Sequence, residues 1–337
     1  MKHLLVRNKY KFFGLIIGVA VLFISFLLSI KMGLTQIDFK TVFNSFFSYN
    51  SELTNHIIIR SSRLPRAIIA SLVGSSLAIA GALMQAITRN PLASPSIMGI
   101  NAGALFAVTI AITIFSVSSL VNLMWIAFLG AGLAAFLVYI LSSIGREGLT
   151  SMKIILAGAA ITALFVSITQ GILVLNETGL QEVLFWIAGS VSGRSIDMLL
   201  PILPFIIIAS VTAFLLSNSI NIMAAGDDIA RGLGQKVIYM KIVLTIIFVI
   251  LAGSSVAIAG QIIFVGLMVP HIAKLLVGLD YKWVIPYSSI IGASLVLISD
   301  VISRFVIMPS ELPIGVVTAL LGTPFFIYIT RKGFNQS

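Results

Sequence analysis

Residues 74–81 read GSSLAIAG and residues 253–260 read GSSVAIAG, so seven of eight positions agree at a separation of 179 residues. A proline follows each first glycine after 17 residues, Pro91 in one copy and Pro270 in the other. Within the copies, Gly74, Ala78 and Gly81 share one helix face, as do Gly253, Ala257 and Gly260. Such faces let helix backbones approach closely. Packing alone accounts for the small residues, and the shared proline offset adds an argument for duplication. What the copies mean for the fold depends on the segments around them.

Of the 337 residues, 59% are hydrophobic and 9% charged, with a mean hydropathy of +1.13. A soluble core of this size cannot use so much apolar surface, so the class is an all-α polytopic membrane protein. The net charge of +10 comes mostly from basic residues in short loops and tails, where they orient helices. No basic face of soluble length exists, so no nucleic-acid partner is expected. The absence of cysteine excludes disulfides, thiolate metal sites and iron–sulfur clusters. His3, His56 and His271 are far apart, and no metal site or cofactor is expected. No G-x-x-x-x-G-K-[ST] and no H-E-x-x-H occurs, so neither a phosphate-cradling loop nor a zinc-hydrolase helix is present in sequence. The chain is not expected to be an enzyme.

A bilayer-crossing helix needs about 20 mostly apolar residues. Spans are predicted near 12–31, 65–87, 95–116, 121–143, 152–175, 198–218, 239–260, 262–278, 284–305 and 312–330. The basic stretch Lys2–Lys11 precedes an apolar run too long for a signal-peptide core and lacking a cleavage site, so 12–31 is read as the first helix. Residues 90–145 carry no charge, room for two spans with a turn near 116–120. Residues 242–273 are also uncharged, and Gly260 and Pro270 predict a reversal followed by a short, irregular eighth helix. With a cytoplasmic N-terminus, 14 of the 21 basic residues fall on the cytoplasmic side, which supports that orientation and puts both termini there. The two GSS copies then lie on spans two and seven, an odd separation that makes them run in opposite directions, as in inverted-repeat transporters.

Three of the seven basic residues left outside, Arg60, Arg63 and Arg66, stand together in IIIRSSRLPRAII (57–69). Interfacial anchoring by snorkelling stems is the simplest reading of such a cluster. Asp300 and Arg304, four apart on the ninth helix, are placed for a structural pair. An ion-coupled carrier usually keeps ionisable groups near the bilayer midplane; here they cluster at helix ends, so energy must come from a partner. The segment SINIMAAGDDIARGLGQK (219–236) is a long inner loop in which Asp227 and Asp228 start a short helix and Gly232 or Gly234 ends it.

At this point the residues resemble a known family. RLPRAIIASLVGSSLAIAGALMQAITRNPLASPSIMGINAGA (63–104), FWIAGS (185–190), ARGLG (230–234), AGQIIFVGLMVPHIAKLLVG (259–278) and ELPIGVVTALLGTPFFIYI (311–329) resemble, in order, the FecCD-type permeases of ABC importers for iron–siderophores, haem and cobalamin. The resemblance covers nearly the whole chain, 1–337, as one transmembrane permease domain of the type II importer fold. It implies an iron(III)-siderophore permease of the bacterial cytoplasmic membrane, with cobalamin or haem as the alternative cargo. The partners implied are two ATP-binding cassette ATPase subunits, an extracytoplasmic substrate-binding (lipo)protein, and a second permease subunit. Arg63, Arg66 and Arg304 match arginines that dock the binding protein. Gly226, Asp227, Asp228, Ala230, Arg231, Gly232, Leu233 and Gly234 match the element that couples to the ATPase, although many relatives carry a glutamate there. Lys274 stands where arginine is common, and His271 is expected to be structural.

Overall fold

The computed structural model describes residues 4–144 and 150–334. Among the described residues all regular structure is helical. In chain order the helices are α1 (Asn8–Lys31), α2 (Phe39–Phe47), α3 (Thr54–Ile58), α4 (Leu64–Thr88), α5 (Ile100–Thr113), α6 (Leu120–Ser143), α7 (Ser151–Leu175) and α8 (Glu177–Ala188). They continue as α9 (Ile196–Leu199), α10 (Leu203–Leu215), α11 (Ser217–Ala225), α12 (Asp227–Gly232), α13 (Val237–Ala259), α14 (Val265–Val277), α15 (Tyr281–Ser303) and α16 (Ile314–Phe334). A π-helical turn, Ile59–Arg63, joins α3 to α4, and a 3-10 turn, Pro95–Met98, precedes α5.

Among the described residues six helices are long and apolar enough to cross a membrane, and the bent pair α10–α11, kinked by 59°, makes a seventh span if taken as one. α5, α14 and residues 314–329 of α16 are shorter apolar helices. Each predicted span falls on one of these segments. At 14 residues, α5 is about 21 Å long against a hydrocarbon core of about 30 Å, so it crosses only with help from its flanks. The predicted reversal after α13 is present. Gly260 ends that helix at φ +70°, residues 261–263 lie outside any helix, and α14 has 13 residues with Pro270 inside.

The centre of the bundle is α4, on which α1, α13, α14 and α15 all pack. Pro65 stands directly after the π-helical turn that links α3 to α4. From there to Thr88 the helix is buried on nearly every face. Small residues explain that burial, because they bring backbone against backbone. A Cβ on Gly74 would lie 2.3 Å from the Gly292 carbonyl oxygen of α15, and one on Gly81 would lie 1.8 Å from that of Gly266 in α14.

Contacts at the helix ends fix relative direction. Met84 and Ile87, late in α4, line a small void with Lys241, early in α13. Arg66, early in α4, reaches Ser192, while the nearby Ser190 N–H donates to the Ala259 carbonyl at the end of α13, at 2.8 Å. α4 and α13 are therefore antiparallel, and the two GSS copies run in opposite directions. They are not equivalent in detail. Helix α4 continues past Gly81, whereas Gly260 terminates α13, and Gly253 has only ordinary contacts, 3.4 Å from Ala131 Cβ.

Candidate functional site

The bundle has a polar cluster at each end of α4. At the N-terminal end, the Arg66 guanidinium spans two carboxylates. It bonds Asp300 Oδ1 through Nε at 2.9 Å and NH2 at 2.8 Å, and Glu311 Oε2 through NH1 at 2.8 Å. Arg304 pairs with the other Asp300 oxygen, as the four-residue spacing predicts, and donates to the Ser29 and Met32 carbonyls at 2.7 and 2.6 Å. Arg63 donates to the carbonyls of Ile30, Lys31 and Thr35, closing the loop after α1. Asp300 is 0% exposed and Arg304 only 2%. The three arginines thus staple α1 and α15 to α4 through charge-assisted bonds, which are about twice as strong as neutral ones.

This differs from what the sequence suggests for RLPR. Read linearly, Arg60, Arg63 and Arg66 are an outer-side charge cluster; in the fold Arg63, Arg66 and Arg304 are buried and most of their donors are taken by this chain, Arg304 Nε having no partner among the described residues. The reason is that the carbonyls left free at the end of α1 and the two carboxylates lie within reach, and a buried guanidinium must be satisfied. Arg60 is the surface member, stacked 4.1 Å from the Tyr49 ring centroid and bonded to the Ser45 carbonyl at 2.9 Å.

At the opposite end, α12 is the short helix expected between Gly226 and Gly234. Gly226 at φ +137° and Gly234 at φ +78° adopt backbone that L side chains rarely take, which explains glycine at both boundaries. Asp227 in its first turn accepts from Arg89, the residue at the left-handed end of α4, and from Lys241 Nζ of α13 at 2.8 Å. Ala230 is buried against the bundle, whereas Ile229 and Leu233, four apart, are 54% and 67% exposed. Asp228 and Arg231 pair with each other on the exposed side. Deeper in this half, Lys274 Nζ bonds Gln85 Oε1 at 2.8 Å, and His271 packs edge-on against Phe325. Among the described residues no group of three His, Asp or Glu side chains is placed to hold a metal.

Sequence reasoning missed the long-range partners, Asp300 and Glu311 for Arg66 and Arg89 and Lys241 for Asp227. Glu311 begins the quoted ELPIG stretch, and that was the only signal available. It also missed a cavity of about 650 Å³ beside the Arg66 cluster, lined by Trp186, Arg194, Glu311 and Pro313 among others. Arg194 lies in the loop between α8 and α9, its guanidinium 5.0 Å from the Trp186 ring centroid. Burial lowers its pKa from the ordinary arginine value.

A bundle of apolar helices with inverted central segments, a charged staple at one end and an exposed short helix at the other defines a multi-pass membrane protein. The comparisons agree. The FecCD transport family model matches residues 21–332, and the chain belongs to that family. It is 49% identical over 305 residues (90% of this chain, 91% of the relative) to the Bacillus subtilis protein named Probable siderophore transport system permease protein YfiZ. It is 38% identical to the Escherichia coli ferric enterobactin transport system permease protein FepD, over 93% of each chain. A solved metal-chelate type ABC transporter in an inward-facing conformation matches with a TM-score of 0.82 at 28% identity, covering 94% of this chain and 98% of that one. The family is one of ABC transporter permease subunits, which work in complexes with other subunits and are not themselves enzymes.

Proposed function

We propose that the chain is the translocation subunit of an ATP-driven importer of iron(III)-siderophore complexes in a bacterial cytoplasmic membrane. It crosses ten times with both ends cytoplasmic. The observation that carries the reading is α12. It is a short surface helix held by Asp227 to both α4 and α13, and it presents Ile229 and Leu233 outward as an apolar pair fit for a cleft on a separate ATPase subunit. Motion of that subunit would pass through Asp227 to the most buried helix of the bundle. A second permease copy or homologue completes the pathway, and two ATPase subunits supply hydrolysis. Relatives named for siderophore, ferric citrate and ferric enterobactin transport support iron chelates as cargo over cobalamin or haem.

The Arg66 end then faces the extracytoplasmic binding protein. Docking through Arg63, Arg66 and Arg304 takes a modified form. Arg63 and Arg304 hold the platform, and Arg66 exchanges Glu311 for a carboxylate of the arriving protein. Charge pairing of this kind steers the encounter more than it adds affinity.

Deletion of the gene in a host that produces no siderophore, followed by uptake of radio-iron supplied as a siderophore complex, tests the assignment. Loss of chelate uptake with cobalamin and haem utilisation intact is expected. Loss of cobalamin or haem utilisation with iron uptake intact would replace the cargo.

A further inference from the structure

The cavity beside the Arg66 staple has features that closing a bundle does not require. It is formed where the α5–α6 turn, the end of α8 with its following loop, and residues 311–313 meet, at the extracytoplasmic end in the proposed orientation. At about 650 Å³ it falls within the range of roughly 300–1,000 Å³ typical of small-molecule sites. Its walls combine apolar side chains such as Ile112, Leu123 and Leu312 with the hydroxyls of Ser118, Ser190 and Ser192.

Two charged residues line it, Arg194 and Glu311, and they are unequal. Glu311 is already bonded by Arg66, so much of its charge is offset. Arg194 has no carboxylate partner among the described residues, and its buried Nε makes no hydrogen bond there. The rest of the half-buried guanidinium lies at the cavity wall, and Trp186 covers its planar face rather than its N–H donors. While Arg66 holds Glu311, the state without a docked partner, the cavity therefore offers a half-buried cation, an aromatic wall and hydroxyl donors, with its one acidic side chain already paired.

We propose that this cavity is a subsite for an iron(III) chelate of net negative charge, with Arg194 as the anion-binding group. An oxygen-donor chelate presents metal-bound carboxylate or catecholate oxygens at its surface, and these match a guanidinium that has no carboxylate partner among the described residues. The subsite lies next to the surface where Arg66 is proposed to exchange partners, so a released chelate reaches it without crossing lipid, and departure of the binding protein returns Arg66 to Glu311 and leaves Arg194 as the unopposed charge. The inference rests on the reading of the chain as a ferric-chelate permease.

The test uses the assembled transporter in lipid nanodiscs, without the binding protein, and equilibrium dialysis against two radio-iron probes. One is a ferric tris-catecholate trianion and the other a neutral ferric tris-hydroxamate. The wild type should bind the trianion more tightly. Arg194→Gln should weaken trianion binding by about tenfold or more, the scale of a lost charge-assisted bond, and change hydroxamate binding by less than about twofold. Arg194→Lys, which keeps the charge, should restore most of the loss, which separates anion binding from a folding defect. No measurable trianion binding to the wild type, or an equal effect of Arg194→Gln on both probes, would overturn the subsite. Uptake with the binding protein and ATP distinguishes the two failures: transport of either chelate that does not depend on Arg194 sinks only the subsite, whereas no transport of any ferric chelate sinks the function.

Discussion

The two GSS copies give a prediction in which identical substitutions have opposite outcomes. Gly81→Ala places a methyl 1.8 Å from the Gly266 carbonyl oxygen, below the 3.0 Å that real Cβ atoms keep. The obstacle is backbone, so relief requires α4 and α14 to separate by more than about 1 Å, which forfeits much of the dispersion energy between them. Overpacking of this kind costs about 1–3 kcal/mol, and a rigid backbone contact belongs at the upper end. Alanine recovers about 1 kcal/mol of helix propensity, leaving a net loss of about 2 kcal/mol. Gly253→Ala places its methyl at 3.4 Å from Ala131 Cβ and Phe128, ordinary contact, so only the propensity gain remains. The two variants should differ by about 3 kcal/mol, more than a hundredfold in the unfolding equilibrium. Unfolding in mixed detergent micelles, followed by circular dichroism and by labelling of a single cysteine introduced at a buried position, measures the difference; the chain has no cysteine of its own. Equal stability of the two alanine variants would refute the packing asymmetry.

Other perturbations address the two ends. Asp300→Asn leaves Arg304 and Arg66 with less negative charge in a fully buried setting and should cost about 3–5 kcal/mol in the same assay; a loss under about 1 kcal/mol would mean the staple does not hold the helices. Glu311→Gln should tighten docking of the binding protein, read by surface plasmon resonance on nanodiscs, because it frees Arg66; weaker docking would contradict the exchange. Asp227→Asn removes two partly exposed pairs, each worth only about 0.2–1 kcal/mol, so folding should be nearly unchanged. Transported chelate per ATP hydrolysed should nevertheless fall several-fold, and an unchanged ratio would remove Asp227 from the coupling route.

Much of this architecture was legible before any coordinates. Uncharged runs longer than one bilayer crossing forced pairs of spans, and Gly260 with Pro270 located a break because one ends and the other interrupts a helix. The Asp300–Arg304 pair followed from helical spacing alone. α12 was bracketed correctly, since glycine at both boundaries and aspartate in the first turn are local signals. Long-range partners were a different matter. That Arg66 meets Glu311, and Asp227 meets Arg89, depends on how α4 lies against α15 and α13, which no local pattern encodes. Burial of Arg63 and Arg304 was hidden for the same reason: free carbonyls at the end of α1 are generic in sequence and become acceptors only where the helices converge. α8 was likewise invisible as a separate helix because only Asn176 interrupts the run from α7. α2 did have a signal, Phe39, Val42, Phe43, Phe46 and Phe47 at helical spacing after Asp38, but at nine residues it is too short to register as a span.

The central claim is that this permease is energised from outside itself, through α12. Reconstitution into liposomes with its ATPase and binding protein, with radio-labelled ferric chelate outside and ATP within, tests it most directly. Accumulation should require ATP and the ATPase, and should be abolished when residues 226–234 are replaced by a flexible linker while the complex still assembles. Accumulation driven by a proton or sodium gradient with the ATPase absent would contradict the account.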